Sequence, residues 1–90
     1  MSKLDEYRKL IDQIDDQIIS LYEKRMNLVK VIYRYKKENN IEILDSSRET
    51  RMLENNLLKI KNEDYKKYYK DVLDGFLSAS KKLQKDLKSE

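Results

Sequence analysis

The sequence has no cysteine, no histidine, no proline and no tryptophan, and only one glycine, Gly75. Each absence removes a class of chemistry. Without cysteine there is no disulfide framework, no thiolate nucleophile and no thiolate-ligated zinc or iron–sulfur site. Without histidine there is no imidazole base, no Ser–His–Asp triad and no imidazole-bound metal. Any catalysis must therefore run on carboxylates, amines, guanidiniums, amides and hydroxyls. The dearth of glycine and proline excludes turn-rich β architectures, which need special backbone angles at each hairpin. No apolar run approaches the roughly 18 residues of a membrane span, so no membrane partner is expected. The opening MSKLDEYRKL carries acids early and lacks an apolar stretch, unlike a secretory signal, so the expected compartment is the cytoplasm.

What is present is charge, with 41% of the 90 residues charged. Twenty Lys and Arg face 17 Asp and Glu, for a net charge of +3. The two signs are interspersed rather than blocked, a pattern that does not point to nucleic acid, and no nucleic-acid partner is expected. The length corresponds to one domain, spanning residues 1–90.

The apolar residues follow helical spacing in three segments, which predicts an all-α chain. The first stripe is Leu4, Tyr7, Ile11, Ile14, Ile18, Leu21, Leu28, Ile32 and Tyr35, with steps of three and four. It predicts a helix over about 4–37, stopped by Asn39 and Asn40. Asp45, Ser46 and Ser47 are N-cap candidates for a second helix, and Ser46 with Glu49 fits a capping box. Its stripe is Met52, Leu53, Leu57 and Ile60. The third helix starts near 62–64 and carries Tyr65, Tyr69, Val72, Leu73, Phe76, Leu77, Leu83 and Leu87, with an end expected to fray. A helix over 4–37 is about 50 Å long. A compact chain of this length has a radius of gyration of about 12 Å. The long helix overshoots such a globule while staying apolar along one side. The economical solution is a homodimer in which long helices pack on each other.

Several polar residues interrupt these stripes. Arg25 takes a seam position, where a guanidinium needs an anion or carbonyls nearby. Two readings fit it: a core-edge arginine paired with an acid of a partner helix, or an anion ligand. Lys36, 11 residues on, lies within about 20° of the same face and about 16 Å along the axis. Two long side chains leaning towards each other at this spacing could hold a small anion between them. Ser80 and Gln84 are stacked neighbours on the third helix, either boundary residues near its end or a site wall. Asp45, Arg48 and Glu49 gather at the start of the second helix, where capping and the helix dipole also account for acids. Arg8 is about 25 Å from Arg25 along the first helix; it is either a solvated terminal arginine or, in an antiparallel pair, a neighbour of the other chain's Arg25. Tyr33, Tyr35, Tyr65, Tyr68 and Tyr69 fit core-edge aromatics better than a base-stacking platform.

Taken together and in order, these residues resemble a known family. Arg8, the run IDQIDDQIISLYEKRMNLVKVIYRYK with Glu23, Arg25 and Lys36, DSSRE at 45–49 and SKKLQ at 80–84 are similar to the all-helical (AroQ-type) chorismate mutases. The similarity covers essentially the whole chain, is strongest over 8–54, and is weak from Asn55 to Leu73. The chain's size suits a free-standing mutase rather than one fused to a dehydratase, dehydrogenase or synthase. The resemblance implies three helices per chain in an intertwined homodimer, with Arg8 contributed across the interface. It implies rearrangement of chorismate to prephenate, on the route to phenylalanine and tyrosine, with no cofactor and no metal. By that resemblance Arg25, Lys36 and Gln84 are the catalytic residues. Arg8, Arg25, Lys36, Asp45, Arg48, Glu49, Ser80 and Gln84 bind the substrate. Glu49 and the backbone around Asp45 hold the ring hydroxyl, Arg48 orients Glu49 or touches a carboxylate, and Ser80 caps a carboxylate. Two other readings remain: an isochorismate pyruvate-lyase of the same fold, and a non-catalytic helical dimerisation module. Docking onto another shikimate-pathway enzyme is a further partnership this size allows.

Overall fold

The computed structural model describes residues 2–90, and the described residues form three α-helices: α1 (Lys3–Glu38), α2 (Ser46–Lys59) and α3 (Glu63–Lys88). Each start has a side-chain cap. Ser2 accepts from the Asp5 N–H at 3.1 Å, with Asp5 and Glu6 in the first turn at the positive end of the helix dipole. Asp45 accepts from the Arg48 N–H at 3.0 Å, and Asn62 from the Asp64 N–H at 3.0 Å. The capping box expected at Ser46 and Glu49 does not form. Ser46 is already the first helical residue, so Asp45 takes the cap and Glu49 is free to face elsewhere. The third helix stays regular through Lys88.

α1 ends on a left-handed cap. Asn40 has φ of 55°, and the Ile41 N–H donates back to the Lys36 carbonyl at 2.8 Å while the Asn40 N–H reaches Lys37 O at 3.4 Å. Asparagine tolerates this conformation better than most residues. The turn reverses the chain, so residues 41–45 run back beside Lys36.

α1 and α2 each pack on α3, with no close approach between α1 and α2. Among the described residues Tyr33 on α1 and Leu73 on α3 are the buried apolar side chains, and Ser80 is the buried polar one. Asn56 donates to the Tyr69 hydroxyl at 2.9 Å and ties α2 to α3.

The chain is a thin slab, 55 × 29 × 15 Å, with a radius of gyration of 16.6 Å. That exceeds the roughly 12 Å of a compact chain of this length, because α1 spans the full long axis. Its stripe is largely bare: Leu4, Tyr7, Ile11, Ile14, Ile18 and Leu21 are all exposed, Leu21 by 62%. Among the described residues no helix is long and apolar enough to cross a membrane.

Candidate active site

Several polar ties between elements gather around Arg25, Lys36 and Glu49. Arg25 on α1 donates through Nη1 to Ser80 Oγ on α3 at 2.6 Å, and Ser80 Oγ donates onward to the Phe76 carbonyl at 2.9 Å. The Arg25 guanidinium also lies 5.5 Å from the Phe76 ring centroid, a cation–π distance. Its partners are therefore a hydroxyl and a ring, both neutral. No ion pair among the described residues involves Arg25, so its charge is available to an incoming anion. Lys36 Nζ donates to the Ile43 carbonyl at 3.1 Å, which fixes the ammonium against the returning chain and leaves its other two protons free.

Between these residues lies a cavity of about 380 Å³, a size suited to a small molecule. α1 contributes Arg25 and Lys36, the start of α2 contributes Asp45, Arg48 and Glu49, and α3 contributes Ser80 and Gln84. Val29, Ile32 and Leu77 supply apolar wall. Seven of the eight residues singled out in the sequence thus meet in one cavity. The eighth, Arg8, is exposed far along α1 and does not line it. A wider, lysine-rimmed groove of about 910 Å³ adjoins this cavity and shares Lys36 and Gln84.

The Asp45 carboxyl is held below the ordinary aspartate range, first by the Arg48 N–H, then by the Ser47 hydroxyl at 2.8 Å, with the charges of Arg51 and Lys36 adding to this. Asp45 and Glu49 are the cavity's two carboxylates, and no metal-holding group of acids occurs among the described residues. Four basic side chains line the same space: Arg25, Lys36, Arg48 and Lys81. The balance favours a dianion with polar groups to orient it.

Lys81 also lines the cavity, a residue that the interrupted stripes do not single out. Its Nζ lies 3.1 Å from Glu49 Oε1 and 3.3 Å from Oε2. Of the two roles expected for Arg48, orienting Glu49 or touching a carboxylate, the first falls to Lys81 in this structure, while Arg48 meets Asp45 through its backbone. Helical arithmetic was the available signal, since residues 77, 80, 81 and 84 follow an i, i+3, i+4, i+7 pattern on one face of α3.

Residues 7–85 match the family model of chorismate mutase type II. The chain belongs to that family. Among curated proteins it is similar to the bifunctional chorismate mutase/prephenate dehydratase of Aquifex aeolicus, at 31% identity over 93 positions that cover 93% of this chain and 25% of the relative. The chain therefore spans about a quarter of the length of the curated relative it matches. The segment shared with the chorismate mutase type II family contains every residue of the cavity and Arg8 as well.

Proposed function

We propose that this chain is a chorismate mutase, converting chorismate to prephenate in phenylalanine and tyrosine biosynthesis, and that residues 1–90 act as one catalytic domain in the cytoplasm. The observation that carries the reading is the convergence of Arg25, Lys36, Arg48, Glu49, Ser80 and Gln84 on one positively charged cavity. The reaction is an intramolecular Claisen rearrangement, in which one C–O bond breaks as a C–C bond forms. It needs no nucleophile and no obligatory proton transfer, so it suits a chain lacking histidine and cysteine.

The demands of the reaction map onto these side chains. The substrate carries two carboxylates. Arg25, presented by the Ser80 hydroxyl, and Arg48 supply fork-shaped donors that match carboxylate geometry. Fixing both ends holds the flexible enolpyruvyl arm over the ring, which converts a rare conformer into the bound one. As the C–O bond breaks, negative charge grows on the ether oxygen. Lys36, with two unused protons, and the Gln84 amide donate to it. Donors already in position stabilise that charge more than the ground state. Glu49 accepts from the ring hydroxyl.

The cavity accounts for seven of the eight residues within one chain. In the proposed assembly, two chains pair through their α1 stripes as an intertwined homodimer. The partner's Arg8 completes the carboxylate clamp. The bare stripe of α1 supports this pairing.

The test is the ultraviolet absorbance of chorismate, followed with wild type and Lys36→Ala in parallel. Wild type is expected to produce prephenate, and the variant to lose about 10²–10³-fold in rate, the effect of removing one transition-state donor. A wild-type chain that leaves chorismate intact refutes the reading. Release of salicylate and pyruvate from isochorismate would then assign the lyase.

A further inference from the structure

We propose that Lys81 is a positioning residue for Glu49, holding its carboxylate in the attitude that accepts the substrate's ring hydroxyl. The proposal rests on the chorismate mutase reading of the cavity. Three ion pairs occur among the described residues, and two of them join neighbours one turn apart on α3, Lys66 with Glu63 and Lys70 with Asp74. Lys81–Glu49 alone among them spans two helices, and it lies on the cavity wall. The ammonium sits astride both carboxylate oxygens, at 3.1 and 3.3 Å. A carboxylate offers about four lone-pair sites, so an ammonium in this position leaves sites free for a second donor while removing the side chain's rotational freedom.

Stability does not explain the pair. The Lys81 side chain is 48% exposed and that of Glu49 27%, and exposed pairs contribute little to folding. Glu49 already sits in the first turn of α2, where the helix dipole favours a carboxylate. What the dipole cannot supply is direction, because a glutamate has three side-chain torsions. Lys81 supplies it from the facing helix, on the same stripe as Ser80 and Gln84. Asp45, the other carboxylate of the cavity, is fixed by its own cap contacts. Glu49 has no such local anchor, since the capping box that would have tied it to Ser46 does not form.

A lysine that merely added positive charge for a dianion would act independently of Glu49. A double-mutant cycle on kcat/KM separates the two roles, using wild type, Lys81→Met, Glu49→Gln and the double variant, each checked for unchanged helicity. Lys81→Met is expected to lower kcat/KM about tenfold beside Glu49 and by less than about twofold beside Gln, a coupling typical of contacting residues. Lys81→Arg is expected to restore most of the rate. With a chorismate analogue whose ring hydroxyl is replaced by hydrogen, Lys81→Met and wild type are expected to turn over alike. Equal losses in both backgrounds, or a Lys81→Met defect that persists with the analogue, would overturn the proposal while leaving the mutase reading intact. Failure of wild type on chorismate overturns that reading instead. Should Lys81→Met lose helicity, Lys81→Gln carries the same cycle.

Discussion

Replacing Ile18 by alanine probes the bare stripe of α1 at its middle. Ile18 is 46% exposed in the single chain. Full burial of such a side chain is worth about 1.5–3 kcal/mol, so about 1 kcal/mol remains to be gained when a second copy covers it. A two-fold pair counts the residue twice, giving about 2 kcal/mol per dimer, and an unfilled space in the seam raises this to about 3 kcal/mol. At 1.4 kcal/mol per factor of ten, Ile18→Ala should weaken the dimer about 30- to 150-fold. Alanine is the better helix former, so α1 itself should keep its helicity. Sedimentation across a concentration series gives the Kd. Turnover measured over the same series should fall in step with dimer if, as in the proposed assembly, the partner's Arg8 completes each site. A wild-type chain that is monomeric at micromolar concentration, or a variant whose Kd moves less than about threefold, would refute the reasoning.

Two predictions concern pH. Gln84 does not titrate, so wild-type turnover should hold from neutral into mildly basic solution. Gln84→Glu must be protonated to donate, and at an ordinary glutamate pKa near 4.3 its rate at pH 7 should fall about 10²–10³-fold and recover on acidification; a flat rate profile for the variant would remove Gln84 from the reacting oxygen. Asp45 is held below the ordinary aspartate range by the Arg48 N–H and the Ser47 hydroxyl. Its stabilising effect on α2 is thus full above the unfolded pKa and disappears as pH falls through the lower folded value. Asp45→Asn retains a cap but not this dependence. Melting temperature between about pH 5 and 2 should therefore drop more steeply in wild type than in the variant, and parallel curves would contradict the assignment.

Much of the fold and of the candidate site is legible in the sequence, for identifiable reasons. The α1 stripe repeats so regularly that its ends at Lys3 and Glu38 fall within a residue of the expected ones. The spacing of Arg25 and Lys36 brings them to one face by helical arithmetic alone. The N-cap of α2 is less legible, because Asp45, Ser46 and Ser47 all have capping side chains. The choice depends on the path of residues 41–45, which the Asn40 turn and the Lys36–Ile43 contact set. The partner of Arg25 is illegible for a different reason. An acid was one expectation, whereas the hydroxyl that meets it is 55 residues away and lies against it only once α3 packs on α1. Lys81 is hidden by its neighbours, since a lysine in a lysine-rich stretch reads as solvent-facing until Glu49 is brought across from α2.

The two connections between helices are unequal, and this matters for anyone wishing to interrupt the chain. Residues 60–62 only close one helix and open the next, through Ile60 to Leu57 and Tyr65 to Asn62, and none of them lines the cavity. Residues 39–45 carry the left-handed cap, the carbonyl that anchors Lys36 and the acid that starts α2. A tether or reporter spliced into 60–62 leaves each wall of the cavity continuous. The same insertion in 39–45 releases the ammonium of Lys36 and shifts the first turn of α2 together. The shorter link is the permissive one, and the longer link, which resembles a spacer, is part of the cavity's frame.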